Sequence, residues 1–457
     1  LNMKKKLQRN QTFKDDYVMN DMISKGYAVK VPNEDLKRSD GKVWFIPHHA
    51  VYHPKKQEIR VVFDCASYQG TTLNQQLLQG PDMTSSLIGV LTRFQDQVAI
   101  MADVESMFLQ VKVPPEDADL LRFLWWPDGD VSQELQEYRM EVHLFGATSS
   151  PSCVALRKCA EDNEHSVETV LCHFYVDDCL RSVASEQEAV KLYQDLKAVC
   201  QTGGFRLQWM TNNQTVLSSF LQEDRATEVK TLNFEQESLA MERALGVLWC
   251  IRADQFKFHV SIQQRPLTRR GVLAMMSSVY DPLGMLSPVV LPAKNILQWD
   301  DAVPDHLAQH WSRWMEELQQ LTNFGVDRCF TPPEFGATAE AQLHHFSDAS
   351  ETGYGVVTYL VQKNSSNQMH CSFIMGKARV APLKPITIEL TAATLAVKVD
   401  TIIKKELQIP LSDSKFWTDS TAVLKYIASQ KNRFKTFVAN RVAMILQASR
   451  VGQWSYI

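Results

Sequence analysis

The stretch that most constrains this chain is His173-Phe174-Tyr175-Val176-Asp177-Asp178-Cys179-Leu180. An apolar strand ends on two adjacent carboxylates, and Cys179 to Val183 can run back as a second strand. Asp177 and Asp178 then sit at the tip of a hairpin. Side by side, two ionised carboxylates repel, and a hard cation relieves the repulsion by taking a few carboxylate oxygens and completing its shell with water or phosphate. The pair therefore points to a metal site for phosphoryl or nucleotidyl transfer. The competing reading is a solvated turn, for which Asp is common chemistry.

The bulk of the chain bounds the choice. Its 457 residues, 45% hydrophobic and 22% charged, describe a globular protein of two to four domains at ~100–200 residues each. The most apolar stretch, Leu283 to Leu297, is broken by Pro288, Pro292 and Lys294, so no membrane span is expected. The first residues, Leu-Asn-Met-Lys-Lys-Lys, hold neither an apolar signal core nor an initiator Met. No secretory peptide and a piece of something longer are the expectations there. Nine scattered Cys without a CxxC pair fit reduced thiols in a cytosolic or nuclear protein rather than zinc ligands or disulfides. The net charge of −4 hides a partition: residues 1–100 carry 14 Lys/Arg against 10 Asp/Glu, residues 101–340 carry 20 against 35, and residues 341–457 carry 14 against 7. Basic ends can meet a phosphate backbone while an acidic middle holds metal.

Along the chain, residues 1–40 read as amphipathic helix, with Tyr17, Met19, Met22 and Ile23 at helical spacing and Gly26 as a stop. Val43 to Val51 and Glu58 to Asp64 read as two strands around the basic turn Lys55-Lys56, with Arg60 able to grip a phosphate or to pair with Asp64. A helix is expected from Ser85 to Phe94, and Val98 to Val104 is a buried strand with Asp103 near its end. An acid there is costly to bury and tends to be paired, capped or metal-bound. Leu144 to Pro151 is a small-residue loop opening a helix to about Cys159. Ser185 and Glu188 form a capping box for a helix with Ala189, Leu192, Tyr193, Leu196 and Val199 on its apolar face, ended by Gly203-Gly204. If the strands ending at Asp103 and at Asp177-Asp178 are sheet neighbours, three carboxylates converge, as two-metal nucleotidyl transfer requires.

Residues 43–249 resemble the reverse transcriptase of Bel/Pao-type LTR retrotransposons. The matching pieces, in order, are Val43–Val51, Ile59–Asp64, Leu77–Asp82, Ala102–Phe108, His143–Cys153, Phe174–Leu180 and Leu245–Trp249. The resemblance implies metal ligation by Asp103 and Asp177, with Asp178 as the third catalytic acid. It implies that Arg60 grips the incoming triphosphate and that Phe108 is a steric gate against a ribose 2′-hydroxyl. Phe145 and Gly146 match a loop against nucleotide and template, and Leu245–Trp249 match the primer grip. Gln208 stands where the family is expected to carry a Lys that protonates pyrophosphate, which bears on rate. Residues 250–340 connect; Ser278–Gly284 also matches the family pattern, and Trp311 and Trp314 lie on an amphipathic helix from His306 to Leu321, read as packing.

A second constellation follows. Leu343 to Ser350 is a strand ending on Asp348; Gly353 to Leu360 and Met369 to Met375 are further strands; Ile386 to Leu407 is a helix with Glu389 in its first turn; Phe416 to Ser420 is a strand carrying Asp419. That order, with Asp348, Glu389 and Asp419 at the rim, resembles ribonuclease H. Helix-terminus charge complementarity for Glu389 and helix capping for Asp419 are the structural alternatives. The family's fourth acid lies beyond a Trp-containing strand like Gln453–Ile457, so nuclease activity is expected to be weak or absent.

The fold class expected is α+β: a reverse-transcriptase right hand over residues 1–265, a connection region over 266–340 and a ribonuclease H-like α/β domain over 341–457. The function implied is that of a retrotransposon RNA-directed DNA polymerase, part of a polyprotein associated with DNA integration. Its cofactor would be Mg2+ or Mn2+. Its partners would be deoxynucleoside triphosphates, a primed RNA or DNA template and RNA–DNA hybrid, in a cytoplasmic virus-like particle or the nucleus. The alternative is a catalytically silent, retroelement-derived remnant that binds nucleic acid.

Overall fold

The computed structural model describes residues 2–9, 17, 19–53, 58–67, 70–79, 84–148, 153–161, 164–226, 241–260, 268–276, 279–294, 305–382, 387–429 and 433–457. The basic turn Lys55-Lys56 and the segments 80–83 and 149–152 lie outside them. The chain divides into two units: residues 1–84, 103–170 and 195–207 form the first, and residues 85–102, 171–194 and 208–457 the second.

In the first unit, strands His48–His53 and Glu58–Phe63 pair as an antiparallel hairpin, with Val51 opposite Arg60. A three-stranded antiparallel sheet runs in the order Ala28–Lys30, Gln136–Met140, Arg122–Trp125. Its core gathers Met19, Phe63, Phe123, Trp125 and Met140. Among the described residues of 1–40, α-helix covers Asn2–Arg9 and Met19–Ser24, with a 3-10 turn at Asp35–Lys37. Gly26 ends the second at φ +73°, as expected, but the helical expectation fails beyond it. Ala28-Val29-Lys30 is a strand because backbone pairing to Tyr138–Met140 outweighs the local helical spacing. A buried charge cluster stands behind this sheet: Arg122 donates to Asp119 and Glu137, while Arg38 and Arg139 also reach Asp119. The three arginines hold the Asp119 carboxyl down at about 2 against the opposing effect of burial.

The second unit holds three sheets. In the first, hairpin Phe174–Tyr175 and Asp178–Val183 is followed by Val98–Val104 and then Leu207–Thr211. The helix Glu186–Thr202 begins where expected: the Glu188 amide donates to Ser185 Oγ, and the Glu188 carboxylate takes the Ala184 amide rather than that of Ser185. The second sheet orders Met241–Ala244, Val247–Cys250, Gln255–Lys257 and Gly325–Asp327, all antiparallel. Leu245 and Gly246 form its first turn rather than strand, both at positive φ, 52° and 86°.

The third sheet runs Met369–Val380, Gly353–Asn364, Thr338–Ala349, Ser412–Thr418, Trp454–Tyr456. Its first three strands are antiparallel, and the last two are parallel to Thr338–Ala349 and to each other in turn. Helix Ile388–Glu406 lays Leu390, Ala393, Ala396, Val397 and Ile403 on one face, against a core that includes Leu343, Leu360 and Phe416. Within this core His345 bonds Asp400 at 2.9 Å and Thr358 at 2.8 Å, and Lys404 and Ser414 also donate to Asp400. Burial keeps the imidazole neutral by lowering its pKa, while the donors keep the Asp400 carboxyl low. Cys65, Cys159, Cys172, Cys179, Cys200, Cys250, Cys329 and Cys371 are free thiols, and among the described residues no helix is long and apolar enough to cross a membrane.

The motif around Tyr280–Gly284 has a structural explanation. Leu283 C=O accepts from the Gly376 amide at 2.8 Å, so this segment runs against the edge strand Met369–Val380. A Cβ on Gly284 would stand 1.9 Å from Gly376 O, and Gly284 sits at φ +70°. Gly284→Ala is therefore expected to cost on the order of 2 kcal/mol from backbone strain, before any clash is relieved. An unchanged urea midpoint for this variant would show the approach to be looser than drawn.

Candidate functional site

Asp348 is the penultimate residue of strand Thr338–Ala349. Along it Ala341, Leu343, His345 and Ser347 are buried, so the two-residue period puts Gln342, His344, Phe346 and Asp348 on the opposite face. Strand Ser412–Thr418 is parallel to it with Phe346 opposite Trp417. Two residues beyond that pair stand Asp348 and Asp419, so the register delivers both acids to one edge. Ser420, not Asp419, caps the next helix, through a bond from the Val423 amide. Capping therefore does not account for Asp419. Glu389 enters from the first turn of helix Ile388–Glu406.

The three carboxylates each offer an oxygen within 4.8 Å of the others. Among the described residues they are the group of His, Cys, Asp or Glu that could hold a metal ion in this way. Glu389 Oε2 is buried and has no hydrogen-bond partner. Burial first, then the charges of Asp419 and Asp348, push the Glu389 carboxyl up to about 7. A buried, unpaired acceptor beside two more acids is what a divalent cation would satisfy, so the residues fit such an ion.

This arrangement carries a pH signature. Glu389 titrates at about 4.5 in a free chain and about 7 here, so without metal its contribution favours the fold below pH 4.5 and is lost as pH rises through 7. Above pH 7, millimolar Mn2+ is expected to raise the unfolding temperature, and Glu389→Gln to abolish both the metal response and the pH slope. A Gln variant that keeps the full Mn2+ shift would remove Glu389 from the ligand set.

Asp103 belongs to the first unit, Asp177 and Asp178 to the second. Asp103 is the half-buried residue near the end of an otherwise buried strand, Val98–Val104. Tyr175 pairs with Asp178 and Phe174 with Cys179, so Val176 and Asp177 form a two-residue turn. Val176 has φ +59°, strain for a β-branched residue and a feature the sequence does not announce. The strand opening at Asp178 lies beside Val98–Val104 in its sheet.

Within the first unit, Arg60 is exposed on its hairpin. The Phe108 and Phe145 rings meet edge to face with centroids 5.5 Å apart, and Phe145 is 71% exposed. Gly146 has φ +98°. Its carbonyl accepts from Asn74 Nδ2 at 3.0 Å, and Asn74 Oδ1 accepts the Thr148 amide. Asn74 thus clamps the loop that carries Phe145 and Gly146. The sequence reading passed it over, although the Thr72–Gln75 capping box that fixes its helix was there to be found.

Residues 268–420 match a family model described as Pao retrotransposon-like RNaseH-like domain. This stretch is similar to such a domain. It contains all three carboxylates of the RNaseH-like acidic group. Across 96% of its length the chain is also similar to solved foamy viral protease-reverse transcriptase structures. One is a dRH form in complex with double-stranded DNA, at 12% identity and TM-score 0.60, with 68% of that chain covered. Another is in complex with an RNA/DNA hybrid, at 12% identity and TM-score 0.57, with 52% covered. A third, with double-stranded DNA, has 13% identity, TM-score 0.60 and 81% covered. The chain therefore has the mixed α/β fold of a retroviral reverse transcriptase with an RNaseH-like domain. No curated protein sequence matches it.

Proposed function

We propose that this chain is the RNA-directed DNA polymerase of a Pao-type retroelement, followed by an RNaseH-like domain whose acids bind a divalent cation. The observation that carries the polymerase reading is the Asp177–Asp178 hairpin, a tight turn between the paired strands Phe174–Tyr175 and Asp178–Val183, in a chain with the reverse-transcriptase fold. The complexes of the foamy viral proteins support double-stranded DNA and RNA/DNA hybrid as ligands here too.

Asp103 and Asp177 would hold Mg2+ or Mn2+, with Asp178 as the third acid of the set. When bound, such an ion supplies charge neutralisation at the phosphates and lowers the pKa of the attacking 3′-hydroxyl. Arg60 offers a planar fork to the triphosphate. Phe108 presents an aromatic edge that would exclude a ribose 2′-hydroxyl, and Phe145 and Gly146 line the loop next to it. In the RNaseH-like domain, Asp348, Glu389 and Asp419 would hold the second site's cation; Glu389, whose carboxyl burial pushes up to about 7, would give up its proton as the ion binds.

The domains proposed are polymerase over 1–265, connection over 266–340 and RNaseH-like over 341–457. Extension of a DNA primer on an RNA template with Mg2+ or Mn2+ tests the reading. Template-dependent products are expected, and a preparation that binds the primed template without extending it would count against the polymerase.

A further inference from the structure

The motif at Tyr280–Gly284 is absorbed by neither set of acids, and Tyr280 stands at a telling place. Its ring lies on the turn between strands Met241–Ala244 and Val247–Cys250: a Cβ on Gly246 would be 2.8 Å from Tyr280 Cε1 and 3.1 Å from its Cζ. The ring occupies space that only glycine leaves. Tyr280 thus neighbours the hairpin that resembles a primer grip.

The mounting is rigid on the other side. The Asp281 carboxylate accepts the amides of Met285 and Leu286 at 2.9 and 2.7 Å, and Leu283 is tied to Gly376 on the edge strand. Yet Tyr280 is 45% exposed. Core packing does not call for a large aromatic held this firmly and left this open. A base or sugar edge does, because aromatic side chains are the usual platforms for single nucleotides at a strand end.

We infer that Tyr280 positions the 3′-terminal nucleotide of the primer strand, its ring giving a stacking or edge contact while Gly246 allows the close seat. The inference rests on the polymerase reading and deepens it, since it assigns a positioning residue outside the acids, the triphosphate grip and the steric gate.

Single-turnover extension by the full chain, on a DNA primer annealed to an RNA template, separates the maximal rate from the nucleotide half-saturation. Tyr280→Ala is expected to lower the rate about tenfold, the cost of one lost base–aromatic contact. Half-saturation should stay within about twofold, because the nucleotide itself is not touched. Tyr280→Phe should restore the rate, since the ring rather than the hydroxyl makes the contact. A merely structural role would lower the unfolding temperature and disturb both parameters together. Wild-type rates in the Ala variant, or no rescue by Phe, overturn the assignment and leave the polymerase reading standing. A wild-type chain that does not extend at all overturns the polymerase reading instead. In that case a primer ending in 4-thiothymidine, crosslinked by near-ultraviolet light, still decides: an adduct on the peptide containing Tyr280 supports the contact, and adducts only elsewhere refute it.

Discussion

Asp177→Asn is expected to reduce primer extension by about a thousandfold or more, with primed-template binding retained. The substitution keeps the size and one acceptor of the side chain but removes its charge. A metal ligand of this kind supports several kcal/mol of transition-state stabilisation, and each ~1.4 kcal/mol is a factor of ten in rate. Asp177 is in the turn itself, next to Val176 at φ +59°, so the amide has no extended backbone to disturb. Asp419→Asn serves as the internal contrast. It should leave extension unchanged while weakening the Mn2+ response of the RNaseH-like domain, because Asp419 belongs to the group with Asp348 and Glu389. Equal extension by Asp177→Asn and the wild type would end the claim that this hairpin is the polymerase centre, whatever the fold.

Much of this was legible because strands advertise themselves. Val98–Val104 was read with its observed limits, since seven residues of nearly unbroken burial leave one acid as the exception. The RNaseH-like acids were legible for a related reason. Two strands and a helix each carry one carboxylate at a terminus, and a parallel register then makes Asp348 and Asp419 neighbours. What the sequence hid depends on partners distant in the chain or on dihedral angles. Nothing in residues 28–30 competes with helix until Tyr138–Met140 arrives to pair with them. Leu245-Gly246 looked like the start of a strand, and only the hairpin register makes it a turn. Glycine at 284 lies in a stretch that matched the family pattern, and its physical reason is the carbonyl of Gly376, ninety-odd residues away. Asn74 is hidden in the same way, because its value is the loop it holds at Gly146 and Thr148.

The three acids of the RNaseH-like group differ in how they bear their charge. Asp348 and Asp419 are exposed, so water screens them, whereas Glu389 is partly enclosed with one buried oxygen unpaired. The cost of the cluster therefore falls on Glu389, which answers by holding its proton to about pH 7. A cation that binds there displaces that proton, so its affinity should rise with pH across the neutral range.

The largest effect on stability is expected at Arg328, which no motif singled out. Its side chain is fully buried. The guanidinium donates to both oxygens of Asp254 at 2.6 and 2.7 Å, and to the carbonyls of Phe94 and Asp96 at 2.9 and 2.6 Å. Its Cζ also lies 4.7 Å from the centre of the Phe94 ring. Asp254 in turn accepts from Trp249 Nε1 and holds φ +49° in the turn after strand Val247–Cys250. One cation thus ties the segment leading into strand Val98–Val104 to the sheet of the primer-grip-like hairpin. Arg328→Ala leaves Asp254 without its counter-charge and the buried Phe94 carbonyl without this donor. Removing one partner of a buried pair typically costs about 3–5 kcal/mol, a fall in unfolding temperature on the order of 10 °C for a unit of this size. Arg328→Lys keeps the charge but not the fork, and should recover only part of the loss. Asp254→Asn combined with Arg328→Ala should cost less than the two single losses added, since each single change strands the other's polar groups. If Arg328→Ala melts with the wild type, or the two losses simply add, the clamp does not carry the stability assigned to it.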